Sequence, residues 1–206
     1  MKLFITGIST DVGKTIASAI ITEALEADYW KPVQAGDLDN SDSMKVRRLI
    51  SNTRSKIHPE AYRLNTPASP HLSAKIDGVS IQLNSFIVPE TENHLVIEGA
   101  GGVFVPLNES QDVIDLIAQY YKVIVVSRHY LGSINHTLLT VEALKNRNFI
   151  IGGIIFNGEA NPSSEEIIIK KTGVPIIGRI EQEPYFDQNV ISEYADMFRP
   201  ELNNIT

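Results

Sequence analysis

Apolar residues along this chain fall into two kinds of stretch. Residues 3–6 (LFIT), 94–97, 122–127 (KVIVVS), 150–156 and 175–180 are short and almost continuously apolar. Runs of that kind predict strands covered on both faces. Between them lie longer segments with helical spacing. Residues 15–26 place Ile16, Ala19, Ile20 and Leu25 on one face, and residues 43–51 carry Met44, Val46, Leu49 and Ile50. Residues 112–121, 133–146 and 163–171 also predict helices, and residues 81–88 predict part of another. A short second strand is predicted at 29–34. Residues 37–42 read as a polar loop, and residues 61–71, holding Pro67 and Pro70, as irregular chain.

Strands that alternate with helices predict a parallel sheet with helices on both sides, an α/β architecture of three layers. The chain of 206 residues suits a single domain over 1–206. In such sheets ligands bind at the carboxyl ends of the strands. Here those ends carry GISTDVGKT, KPVQAGD, EGAGG, SRHYLGSIN and NGE, so polar, glycine-rich segments gather along one edge.

The first of these, residues 7–15, sets a question of spacing. A phosphate-binding P-loop has four residues between its first glycine and Gly-Lys-Thr. This chain has five between Gly7 and Gly13, with Ile8 where a glycine is expected. The strand–loop–helix context still favours a phosphate cradle, and hence a P-loop NTPase fold. Asp11, Val12 and Gly13 would present amides to an anion, Lys14 would reach the β- and γ-phosphates, and Thr15 would ligate Mg²⁺. In LVIEGAGG an acidic residue ends an apolar strand. Glu98 is therefore a candidate to help hold the metal, with Gly99, Gly101 and Gly102 allowing close backbone approach. Lys31, before Pro32, is either a surface lysine or a fixed cation facing the γ-phosphate, and spacing leaves both open. Asp42 is either a second carboxylate of the site or a helix cap. Asn157 either reads an adenine edge or is a turn residue. The five histidines lack metal-ligand spacing, and Asp112 with Asp115 is either a pair of catalytic carboxylates or, the favoured reading, a cap and a solvated face.

Composition narrows the classes. A net charge of −7 disfavours generic nucleic-acid or anionic-membrane binding, and no apolar run is long enough to span a bilayer. The absence of cysteine excludes disulfides and thiolate chemistry. Met1-Lys2 leads straight into the first apolar run without a signal pattern, so the expectation is a cytoplasmic protein with neither nucleic acid nor membrane as partner.

Taken together, GISTDVGKT, KPVQAG, NSD, SPH (69–71), VIEGAGG, LGSINHTLLT (131–140) and the strand-end Asn157 resemble the dethiobiotin synthetase family, in the family's order and over about residues 3–160. Weaker likeness continues in PIIGRI. The family's loop also has five residues between its glycines, so the odd spacing is the family's own. The resemblance implies ATP and Mg²⁺ as cofactors, with 7,8-diaminononanoate and CO2 or bicarbonate as substrates. It implies that one amine captures CO2 as a carbamate, which attacks the ATP γ-phosphate to form a carbamic–phosphoric anhydride. The second amine then closes a cyclic urea.

By the same likeness Lys31 and Lys14 are catalytic, and Thr15, Asp42 and Glu98 hold the metal. ATP would meet Asp11, Val12, Gly13, Lys14, Thr15 and Ile16 in the loop, with Asp42. On the next strand end it would meet Glu98, Gly99, Ala100 and Gly101. Asn157, Glu181, Gln182 and Glu183 would lie at the base. Thr10, Lys31, Ala35 and Gly101 would contact the diamine or its carbamate. Leu131, Gly132, Ser133 and Asn135 resemble the segment that receives the substrate carboxylate from a neighbouring subunit, which implies a homodimer with its active site at the interface. Two departures stand out: Ile8 and Ser9 replace the usual Thr-Asp, and EQEPYFDQN (181–189) lacks the usual proline pattern.

Two rival enzyme types share the P-loop branch. Corrinoid-type amidotransferases need a glutaminase domain with a nucleophilic cysteine, which this chain lacks. Switch ATPases of the partitioning and cell-division class carry an extra lysine early in the loop, where this chain has Ser9, and their membrane-targeting forms end in a basic amphipathic helix. The tail EYADMFRPELNNIT is not basic and is interrupted by Pro200.

Overall fold

The structure, a computed structural model, describes residues 1–205. Its centre is β1 (Lys2–Gly7), flanked by β6 (Leu95–Glu98) and β7 (Lys122–Arg128). Beyond β7 lie β8 (Ile150–Asn157) and β9 (Ile176–Ile180). Beyond β6 lie β2 (Asp28–Trp30) and β4 (Ile57–His58). The seven strands run in the order β4-β2-β6-β1-β7-β8-β9, and each of these pairings is parallel. Phe4, Ile5, Val96, Ile124 and Ile155 are fully buried, as strands covered on both faces must be.

Three helices form one layer: α1 (Lys14–Leu25), α2 (Asp42–Leu49) and α6 (Gln188–Ile205) pack on one another. A second layer pairs α4 (Ser133–Asn146) with α5 (Pro162–Thr172). Crossovers leave β1 and β7 in opposite directions along the sheet, and right-handed connections then put the two layers on opposite faces. All the loops that follow strand carboxyl ends meet at one edge.

Several elements differ from the sequence expectation. The strand expected at 29–34 is two strands. It breaks at Pro32, whose carbonyl accepts from Ala61 N and Tyr62 N, each at 3.0 Å. β3 (Val33–Ala35) then pairs in a small separate sheet with β5 (Tyr62–Leu64), inside the segment read as irregular. Pro70 does not end order there. It occupies the first turn of α3 (Pro70–Asp77), a position where a missing N–H costs nothing. The helix expected at 112–121 is only a 3₁₀ turn, Val113–Leu116. Its capping box of Asp112 and Asp115 is present, but Val113 N and Ile114 N bond outward to Val105 O and Val103 O. Residues 81–88 hold only the turn Leu83–Ser85, because Phe86 leaves to pack on the Tyr62 ring at 5.0 Å between centroids. The helix α6 was not expected. It runs through Pro200, and its buried Ile191, Tyr194, Ala195, Phe198 and Leu202 follow helical spacing. Gly178 is where β9 lets α6 approach, since a Cβ there would collide with the Phe198 ring.

Buried carboxylates tie the loops to this frame. Asp28 in β2 accepts from Lys56 N at 3.0 Å and Asn93 Nδ2 at 2.9 Å, and lies 2.9 Å from His58 Nε2. Glu23 of α1 accepts from the amides of Ser51 and Asn52 at 2.9 and 3.1 Å. Glu165 of α5 takes a bidentate pair from Arg179 and lies 2.8 Å from His129 Nε2. Burial alone would raise these carboxyls, but the donors outweigh it, and all three lie below the ordinary range, Glu165 at about 2.

Their stabilisation is therefore fully present above the unfolded carboxyl values of about 4, and is lost as pH falls through the lowered folded values. Urea midpoints should drop steeply below about pH 4. Glu165→Gln should flatten that drop and cost about 2–3 kcal/mol at pH 7. An unchanged acid slope in the variant would remove Glu165 from the effect.

Candidate active site

The loop after β1 is anchored at its start by backbone bonds, Gly7 N to Gly101 O at 3.4 Å and Ile8 N to Val126 O at 3.1 Å. It turns through two left-handed residues, Asp11 at φ 57 and Gly13 at φ 95. The fifth residue of the loop is absorbed by this double turn. Gly13 cannot carry a side chain, because a Cβ there would meet the Asn157 amide. α1 starts at Lys14, with Ala17 N donating to Gly13 O at 3.0 Å, so the loop delivers the chain into a helix N-terminus. The Lys14 ammonium folds back over the loop to the Ser9 carbonyl at 3.1 Å. Burial lowers its pKa to about 8, and Lys31 adds to the lowering, while Glu98 and Asp42 oppose it.

Beside the loop is a buried cluster of opposite charges. Lys31 is only 5% exposed and Glu98 only 1%. Lys31 Nζ donates to Asp42 Oδ2 at 2.5 Å and to Glu98 Oε1 at 3.1 Å. The same Glu98 oxygen accepts from Thr15 Oγ1 at 3.0 Å, and Oε2 accepts from Tyr29 OH at 2.8 Å. Four elements meet here: Lys31 leaves β2 at the proline break, Asp42 opens α2, Glu98 ends β6 and Thr15 lies in the first turn of α1. Burial alone would lower the Lys31 pKa. The charges of Glu98 and Asp42 outweigh it and hold the ammonium above the usual lysine value. Burial would raise Asp42, but Lys31 and then Lys45 bring it below the usual range. Asp42 is held in place by its own amide, which donates to Gln34 Oε1 at 3.1 Å, and by Ser41, which caps α2 through Met44 N at 3.4 Å.

These groups open onto a cleft of about 1330 Å³. Of the residues singled out from sequence, Thr10, Asp11, Gly13, Lys14, Thr15 and Ile16 line it. So do Lys31, Ala35, Asp42, Glu98, Ala100 and Gly101. The Val12 side chain is in the core, and Gly99 packs against Phe4. Asn157 lies behind the loop, donating to Val12 O at 2.8 Å. Glu181 and Glu183 are engaged elsewhere, Glu181 with Arg179 Nε at 3.2 Å and Glu183 with Tyr194 OH at 2.6 Å. Phe186, Asp187, Gln188 and Asn189, and not residues 181–183, form the C-terminal wall. Leu131, Gly132, Ser133 and Asn135 are at the β7–α4 junction and do not line this cleft. Leu131 is fully exposed there, and Gly132, at φ 102, caps α4.

The SPH segment was singled out without a role for Ser69, which lines the cleft at the start of α3, and sequence reasoning missed Tyr29, which donates to Glu98. Ser-Pro ahead of an apolar helix was the available signal for Ser69. Tyr29 gave none, because a tyrosine in an apolar strand reads as core.

A family profile described as an AAA domain matches residues 1–190. Among solved structures, the cell division ATPase MinD of Pyrococcus furiosus aligns with a TM-score of 0.61 at 11% identity, covering 100% of this chain and 99% of that one. A putative plasmid partition protein of Borrelia burgdorferi, bound to AMPPNP, aligns with a TM-score of 0.59 at 15% identity over 98% of each chain. At such identities the likeness is one of fold. Sequence relatives are much nearer. The ATP-dependent dethiobiotin synthetase BioD of Christiangramia forsetii is 58% identical over 202 residues, 98% of each chain. That of Cytophaga hutchinsonii is 53% identical over 196 residues, 94% of this chain and 95% of its own. With identity at that level over nearly the whole length of both proteins, this chain belongs to the family of ATP-dependent dethiobiotin synthetases.

Proposed function

We propose that the cleft carboxylates and cyclises 7,8-diaminononanoate with CO2 and ATP, giving dethiobiotin, ADP and phosphate. The observation that carries this reading is the placing of Lys31, a buried cation, within the same cleft as the loop lysine Lys14. The cleft's volume exceeds what one small ligand fills, leaving room for a second substrate beside a nucleotide.

The chemistry needs charge neutralisation and alignment more than a nucleophile on the protein. An amine of the diamine adds to CO2 and loses a proton, giving a carbamate. A carbamate oxygen attacks the γ-phosphorus, the bond to the ADP oxygen breaks, and a mixed anhydride forms. The second amine attacks the carbamate carbon, loses a proton and expels phosphate as the urea ring closes. Lys14 and the amides of the loop would hold the phosphates against the N-terminus of α1. Lys31 stays protonated because its pKa is raised. It therefore acts as a fixed cation for the carbamate and the moving phosphoryl group and not as a base. Thr10 and Gly101, adjacent in the cleft wall, would orient the diamine.

Thr15, Asp42 and Glu98 offer one hydroxyl and two carboxylates around a cation, and no nitrogen or sulfur donor. That all-oxygen set fits Mg²⁺, a hard cation that takes its remaining ligands from phosphate and water. Those three residues would hold it, and it would supply further charge neutralisation at the phosphates. The β7–α4 junction, where Leu131, Gly132 and Asn135 are exposed and Ser133 is buried at a helix N-terminus, suits the substrate carboxylate presented to a second subunit's cleft. We assign Leu131, Gly132, Ser133 and Asn135 to that role in a homodimer.

Phosphate release with MgATP should require both the diamine and bicarbonate, with a cyclic urea as product by mass spectrometry. Release indifferent to both would instead indicate a switch-type ATPase. Lys31→Gln, which keeps the packing and loses the charge, should lower kcat by about a thousandfold while ADP affinity stays within a few-fold. Parental turnover would remove Lys31 from the mechanism. Mixing inactive Lys31→Gln with inactive Asn135→Ala protein should restore about a quarter of parental activity, because half of the random dimers then carry one intact site. No recovery after subunit exchange would place Asn135 outside a shared site.

A further inference from the structure

Two side chains at the ends of neighbouring strands hold the back of the phosphate loop. Arg128 ends β7, Asn157 ends β8, and the two are register partners. Arg128 Nη1 donates to the Asp11 carbonyl at 3.1 Å, and Asn157 Nδ2 donates to the Val12 carbonyl at 2.8 Å. Among the described residues no backbone N–H donates to either carbonyl. The front of the loop is held by backbone bonds, and its far half is held by these two side chains.

In a trans peptide the carbonyl and the next N–H point in opposite directions. Drawing the Asp11 and Val12 carbonyls toward β7 and β8 therefore turns the N–H groups of Val12 and Gly13 the other way, where a phosphate cradle presents its donors. The turn also needs support, because Asp11 is at φ 57, a left-handed conformation unfavourable for a residue with a Cβ. A guanidinium on that carbonyl makes a charge-assisted bond, stronger than a neutral one. Arg128 itself is exposed and does not line the cleft. Any effect it has on the nucleotide passes through the loop.

We propose that Arg128 is a positioning residue for nucleotide binding: with Asn157 it clamps two consecutive loop carbonyls and so aims the amides of the cradle before the phosphates arrive. The inference rests on the chain's use of ATP alone and not on which amine-bearing substrate accepts the carboxyl group.

The test is ADP binding by calorimetry in the full chain, without the diamine, together with steady-state kinetics. Arg128→Ala should weaken ADP about five- to tenfold and raise the KM for ATP by a similar factor, with a smaller change in kcat and in the KM for the diamine. Arg128→Lys, which keeps a donor, should recover most of the loss. The deficit should persist at about 0.5 M salt, where a long-range charge effect is screened. ADP affinity within twofold of the parent, or a deficit that vanishes in salt, would overturn the clamp. Because ADP binding is read without turnover, failure of the clamp and failure of urea synthesis are separate results.

Discussion

One buried ammonium organises the wall of this protein's cleft. Lys31 sits between Glu98 and Asp42 with almost no access to water, and each partner comes from a different part of the chain. Burying a lone charge is costly, and the cost is offset only when partners and hydrogen bonds are well placed. The residues around the cluster serve that requirement. Tyr29 and Thr15 also donate to Glu98, and Gln34 with Ser41 fix the first turn of α2 so that Asp42 faces the lysine. Pro32 ends β2 and frees the chain to leave the sheet just beyond Lys31. The result is a cation held in one position beside the glycine loop, as the proposed reaction through an activated carbamate calls for.

The loop is a second arrangement of the same kind. Its extra residue relative to the usual spacing is not an irregularity left unresolved. Two left-handed residues fold it into the turn, and β7 and β8 support it from behind. Strands on one side of the sheet thus hold the loop, while β2 and β6 on the other side supply the charged cluster. The sheet is the rigid frame that keeps the loop and the charged cluster at a constant separation.

The sequence made much of this legible because the determinants were local. Continuous apolar runs marked the five long strands. Helical spacing marked α1, α2, α4 and α5 closely, since each depends on its own face and caps. Gly-Lys-Thr after a strand marked the turn from β1 into α1. The misreadings share a cause. Pro70 and Pro200 were read as breaks, yet one starts α3 and the other is carried inside α6 because that helix is held against α1 by its buried face and by Arg199 bonding to Ala24 O. Residues 112–121 have helical spacing, but the Val113 and Ile114 amides bond instead to the Val105 and Val103 carbonyls.

What the sequence alone determined was the class of architecture, the position of the glycine loop between β1 and α1, and the family that the chain resembles. Those follow from periodicity and from short motifs whose chemistry is carried by adjacent residues. Only the tertiary structure decided between the surface and the buried reading of Lys31, and between Asp42 as a cap residue and as a partner of that lysine. It also decided that Asn157 and Arg128 stand behind the loop and that residues 186–189 form the far wall of the cleft. Each of those depends on groups far apart in the chain meeting where water is excluded, and the local pattern of residues carries no record of which distant charge or carbonyl a side chain will face.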